Sequence, residues 1–312
     1  MLPSLLYGQA AQGPVALTYS GSKGYTLVER TNLRRYENGR YIGLTSREVR
    51  SFISPAEAPS PSLAADGLHW YDGSFYVAEA TKSNSRETAA GIHDSIPSVF
   101  SISADGKLSM YKDNGYPTFR SFPAFTRQQI RPGDAWRSNA ERAVDPLNKG
   151  IFTRMPMEVS YQFIGEENYK GQDVYRIKAQ WHTNYGSMNT RDPRGDSTLQ
   201  RATGGHKADI LVLKATGAAI LIMDNVDETY QYTDGTTANF KGTINLFTEF
   251  PPALDTEKLI PALQRIASVA PSVTGGGKEA GSGIVRRKSP PARSGGSTGN
   301  RGNAPEPVNT SV

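Results

Sequence analysis

The chain has 312 residues, 37% of them hydrophobic and 21% charged, and no cysteine. The missing thiols exclude disulfides, thiolate catalysis, cysteine zinc sites and iron–sulfur clusters. Of the net charge of +5, residues 271–312 supply +4, with six cations against two anions. The remaining 270 residues are nearly neutral, which removes the case for a nucleic-acid-binding surface.

In chain order, residues 1–13 (MLPSLLYGQAAQG) form a short apolar stretch followed by small residues. This resembles the end of a secretory signal whose charged start is missing, or is a mildly apolar first segment. Residues 14–120 read as an N-terminal β module. Short strands are expected at 15–19, 25–30, 41–44, 68–71, 75–79, 99–102 and 108–111. Turns fall at Asn38-Gly39, Asp72-Gly73 and Asp105-Gly106. Residues 46–53 fit a strand or a short helix. Residues 121–156, rich in Pro and aromatics, read as a connector, with a short helix possible over 135–143. A second β module spans 157–270. It opens with alternating strands around the turn at Gly171, continues through a polar loop at 186–204, and reaches three strands between His206 and Phe250. The last strand is the clearest: Phe240, Ile244 and Leu246 share one parity and Lys241, Thr243 and Asn245 the other, so one face is buried and one wet. Asp255 can cap a helix over 255–270 with Leu259, Leu263 and Ile266 on one stripe, although Pro261 interrupts it. From 271 onward nine Gly, six Ser and five Pro in 42 residues cannot bury enough apolar surface to order themselves, and a disordered basic linker is expected. The fold class expected is therefore mainly β: two antiparallel sheet modules of sandwich or half-barrel type, a C-terminal helix and a disordered tail. No apolar run of about 18 residues is present, so no helix is expected to span a membrane.

The residues that could carry chemistry are few. His69, His93, His182 and His206 have no metal-ligand spacing, although His182 and His206 could meet across a sheet. No nucleophile elbow, phosphate loop or calcium loop occurs; Gly275-Gly276-Gly277-Lys278 lacks the following Ser or Thr. Asp224, Asp227 and Glu228 cluster in one segment, and Asp134, Glu141 and Asp145 in another. Paired carboxylates could serve glycan hydrolysis if a cleft brought two of them together, but solvated strand ends and turn caps are the plainer account. Trp70, Tyr71, Phe75 and Tyr76, and also Tyr230 and Tyr232, could line a ligand groove or simply pack as core and cross-strand pairs. No catalytic, metal or cofactor residue is assigned, and no enzyme activity, cofactor or nucleic-acid partner is expected.

Several ordered strings, among them GYTLVERTNLRRYENGRYIGLTSREVRSFI, GYPTFRSFPAF, RPGDAW, RAVDPLNKG, GGHKADILV and DETYQYTDGTTANFKGTINLFTEFPPA, resemble the N-terminal region of spirochaete, chiefly treponemal, envelope proteins of the OmpA family, over about residues 20–270. The resemblance implies an exported, sheet-rich module at the periplasm or outer membrane. Other envelope proteins or cell-wall components are its implied partners. In that family a linker leads to an OmpA-like domain that associates with peptidoglycan. No such pattern follows here, so peptidoglycan binding does not carry over. The second module is also similar in pattern to half-barrel lipoprotein carriers, which leaves open a concave face that holds an apolar ligand.

Overall fold

The computed structural model describes residues 13–21, 23–83, 86–90, 96–186 and 191–249, with the backbone alone over 77–83 and 86–90. The signal-like start up to residue 12, His93, the expected helix over 255–270 and the basic linker lie outside the described residues.

The protein is built from antiparallel strands. They are β1 (Tyr25–Glu37), β2 (Arg40–Ala56), β3 (Leu68–Ser83), β4 (Arg86–Ala90), β5 (Ile96–Ser103), β6 (Leu108–Lys112), β7 (Phe119–Arg120), β8 (Ala135–Val144), β9 (Thr153–Tyr169), β10 (Gln172–Tyr185), β11 (Leu199–Leu213), β12 (Ala219–Tyr232) and β13 (Thr237–Glu249). One 3-10 turn, Pro61–Leu63, interrupts the strands. Among the described residues no helix is long and apolar enough to cross a membrane.

All thirteen strands belong to one sheet. Its order is β6-β5-β3-β2-β1-β13-β12-β11-β10-β9-β8-β7, with β4 beside β3. The two expected modules are therefore one sheet, joined by β1 and β13 in register from Thr26↔Glu249 to Glu37↔Ala238. Gly242 makes this junction close, because a Cβ there would lie 2.1 Å from the Asn32 carbonyl oxygen. The expected connector is also part of the sheet. Residues 135–144 form β8, not a helix, and pair with β9 along their whole length.

Turn chemistry sets the register where it was expected to. Asn38 (φ 48°) and Gly39 (φ 80°) close β1 onto β2, and Lys170 (φ 52°) and Gly171 (φ 81°) close β9 onto β10. Two segments differ from expectation, Asp72-Gly73 and the polar loop, and one open alternative resolves as a strand. Asp72-Gly73 is no turn but the middle of β3, where Gly73 leaves room for the Phe75 ring, 2.9 Å from where a Cβ would sit. Residues 46–53 run inside β2. The polar loop is shorter than expected, since β11 starts at Leu199. Of the short strand at 15–19, Val15 forms an isolated bridge with Ile130 and Tyr19 donates its N–H to the Ala104 carbonyl. Leu17 and Tyr19 are nevertheless buried.

The sheet curls into a near-barrel, and its two ends approach each other. The Ser121 hydroxyl after β7 accepts the Leu108 N–H of β6 at 3.0 Å. The chain between β7 and β8 then turns inward, with Phe122, Ala124 and Phe125 buried. Phe122 and Phe125 join one continuous core with Phe100, Val159, Phe163, Ile177 and Ile210, each of these five fully buried. A side chain of this size contributes roughly 2–3 kcal/mol on burial, and the buried side chains form one contiguous packed core.

Candidate functional site

Chemistry-bearing side chains converge in one place inside the barrel. On β12 the inward parity carries Asp224, Val226, Glu228, Tyr230 and Tyr232, while Asp227 points out and pairs with Lys241 at 2.8 Å. On β11 the same parity brings His206 inward, directly opposite Val226 on one side and Trp181 of β10 on the other. Gly204, also on β11, leaves the space that Glu228 fills; a Cβ there would meet the Glu228 Cγ at 2.8 Å.

His206 is held on both ring nitrogens. Nδ1 lies 2.8 Å from Asp224 Oδ2 and Nε2 lies 2.8 Å from Glu228 Oε1. The Trp181 ring stacks on the imidazole at 4.3 Å with 10° between planes. Glu228 is the hub: it accepts from Arg142 of β8 at 2.7 Å, from the Thr183 hydroxyl at 2.5 Å and from the Tyr230 hydroxyl at 2.5 Å. The Arg142 guanidinium lies over the Phe119 ring at 5.5 Å. Nearby, Glu29 of β1 is buried and accepts from the Thr118 hydroxyl at 2.5 Å. The network therefore ties β8, at the seam, to β11 and β12.

Electrostatics follow from this geometry. Burial opposes charge on Glu228, yet Arg142 and His206 outweigh it and hold the carboxyl well below its ordinary range. Burial likewise opposes charge on His206, but Glu228 and the hydrogen bonds to both carboxylates raise its pKa above the ordinary value. Asp224 is pushed up by burial, consistent with its Oδ1, which is buried and finds no partner. Glu29 is also raised, chiefly by burial. His206 and Glu228 thus form a charged pair, and both shifts have a sign for stability. The His206 contribution is complete below the unfolded imidazole value of 6.5 and is lost as pH rises through the higher folded one. The Glu228 contribution is complete above 4.5 and is lost as pH falls through the lower folded one. The expected result is a urea midpoint that falls as pH rises from the unfolded imidazole value through the higher folded one. His206→Asn should flatten that limb, which denaturation curves collected across pH will check.

Among the described residues the arrangement pairs charges and is closed off from solvent. The side chains of His206 and Asp224 are 0% exposed and that of Glu228 is 2% exposed, and the cavities described below are not lined by any of the three. Among the described residues no group of three or more His, Asp or Glu is placed to hold a metal.

The other sequence candidates separate. His182 points outward on β10, on the opposite face from His206. His69 packs edge-on against Tyr19. Asp134 caps the Arg131 N–H, Glu141 pairs with Arg120, and buried Asp145 accepts the N–H groups of Lys149 and Gly150. The account of solvated strand ends and turn caps holds for Asp134, a turn cap, whereas Asp227 is solvated but sits mid-strand beside Lys241. It fails for Asp224 and Glu228, which lie buried mid-strand. Tyr71 and Phe75 are core residues, and Tyr230 and Tyr232 point inward; Trp70 packs edge-on against Tyr111. An apolar cavity of about 120 Å³ does exist at one barrel end, lined by Tyr25, Leu27, Phe119, Phe122, Leu221 and Leu246 among others. That is well under the ~300 Å³ at which ligand sites begin.

Sequence reasoning missed Arg142, Thr183 and Trp181 altogether. A second charged cluster, also missed, lies nearer the surface. There Asp113 sits between Arg120 (2.7 Å) and Arg154 (2.6 Å), and Arg154 reaches Asp192 at 3.1 Å. Burial opposes the Asp113 charge, but the two guanidinium groups outweigh it and hold the carboxyl far below its usual range. Comparison with protein-family models finds no match, and comparison with curated proteins finds none either.

Proposed function

We propose that this chain is a non-catalytic protein of the cell envelope, an exported structural or interaction module of the periplasm or outer membrane. The observation that carries the reading is the packed interior, in which the ion network is buried. Ionisable groups meet there, but they bond to one another and to the walls, which suits a rigid scaffold more than a container or a reaction chamber. The ordered strings that resemble the N-terminal region of OmpA-family envelope proteins supply the location. The small apolar cavity gives limited support to an alternative, capture of an apolar ligand. Glycan hydrolysis by Asp224 and Glu228 would require a cleft to both carboxylates, and their burial works against it.

Fractionation of the cells that make the protein tests the proposal. Immunoblotting is expected to find it with periplasmic and membrane fractions. Recovery with soluble cytosolic markers would overturn it.

A further inference from the structure

We propose that the unpaired edge of β8, over Ala135–Asn139, is a docking site for an extended strand of a partner protein that carries an acidic residue opposite Arg137. On one side β8 pairs with β9 through all ten residues. On the other, β7 covers only Glu141 and Arg142. β7 stops because Ser121 adopts φ 54° and the chain turns into the core. The lane beside the first half of β8 therefore holds no strand among the described residues.

The edge has its hydrogen-bonding groups aimed outward. Ala143 donates its N–H to the Thr118 carbonyl on the β7 side, while the Asp134 carbonyl accepts from Phe163 on the β9 side. Alternation along the strand then turns the N–H and C=O groups of Ala135, Arg137 and Asn139 toward the empty lane. Such a row of groups is the template for strand addition. A guest in this lane continues the line of β7 and runs antiparallel to β8, as β7 does. Its inward side chains would lie beside half-buried Trp136 and buried Ala140. A cleft of about 470 Å³ opens at the end of the edge, lined by Met110, Ser121, Asn139, Glu141 and Arg194 among others, and gives the guest's flanking residues room.

Charge selects the occupant. Ala135, Arg137 and Asn139 are exposed, and Arg137 is the only charge among the three edge-facing residues. A second copy of this chain is disfavoured: two-fold pairing that uses all three residues centres on Arg137 and sets it against its own twin. Like charges directly opposite destabilise a strand pair. A partner strand with Glu or Asp at that position gains what the twin loses. Arg137 also has a surface contact with Glu158 at 3.1 Å, which an exposed side chain exchanges readily. This partner deepens the interaction-module reading, but binding is measured on the purified chain, so an error about cellular location would not affect the result.

The test uses fluorescein-labelled octapeptides of alternating valine and threonine with one central residue varied, followed by anisotropy against the full chain. The glutamate peptide is expected to bind more tightly than the lysine peptide, and an N-methylated glutamate peptide is expected not to bind. Asn139→Pro removes one edge donor without touching the β9 ladder and should weaken binding at least about fivefold, with the far-ultraviolet spectrum and thermal midpoint unchanged. Arg137→Glu should invert the preference between glutamate and lysine peptides. Three outcomes would overturn the proposal: no binding of the glutamate peptide, equal binding to wild type and Asn139→Pro, or a wild-type dimer in gel filtration that Asn139→Pro dissolves.

Discussion

Replacing Glu228 with alanine is expected to lower the unfolding free energy by about 3–5 kcal/mol, the usual result of stripping one partner from a buried ion pair. The physical reason is local. Arg142, His206, Thr183 and Tyr230 all direct hydrogen-bonding groups at this carboxylate, and alanine leaves two cations in the core without their shared carboxylate. Equilibrium urea unfolding followed by tryptophan fluorescence measures the loss. A second variant separates charge from packing. Glu228→Leu combined with Arg142→Met removes both partners and should recover a large part of the deficit, because an apolar pair of similar volume avoids the desolvation cost. If Glu228→Ala unfolds at the wild-type midpoint, the network does not hold the barrel wall.

Trp181→Ala is expected to cost a similar amount, about 3–5 kcal/mol, by opening a cavity at the centre of the core. Its ring stacks on His206 and meets Phe119 at 6.1 Å and Phe122 at 5.1 Å, both edge to face. The indole therefore touches the ion network and the inward-turned chain after β7 together. Trp181→Phe keeps most of the contact area and, since the Trp181 Nε1 has no hydrogen-bond partner, loses no bond; it should cost less than half as much. Thermal unfolding of the two variants side by side checks the ratio. Because Trp181 and His206 are in contact, Trp181→Ala and His206→Asn should not add.

Much of the fold could be read from short-range rules, and the exceptions have identifiable causes. In β13 the alternation of Phe240, Ile244 and Leu246 with polar neighbours corresponds to a strand with one buried face. Asn38-Gly39 and Asp234-Gly235 turn the chain as glycine in a left-handed conformation allows. Asp72-Gly73 has the same letters but serves a different need: its glycine makes space for a ring rather than for a bend. In β8 the inward positions are Trp136, Ser138, Ala140 and Arg142. Two polar groups on the core side erase the alternation, so the segment resembles a polar connector. The site carried a partial signal. Asp224 and Glu228 share parity with Val226, Tyr230 and Tyr232, which marks two carboxylates on an apolar face. What no local pattern could supply was Arg142, 86 residues from Glu228 in sequence, or the single sheet itself, whose joint pairs the first strand with the last.

That joint also dictates when the molecule can form. Strand β1 leaves the ribosome early and waits for β13, more than two hundred residues later, before both of its neighbours are in place. Until Glu249 has emerged, the Tyr25–Glu37 ribbon is a bare border open to misassociation. Closure is consequently a late event governed by long-range encounter, and it cannot precede the emergence of β13.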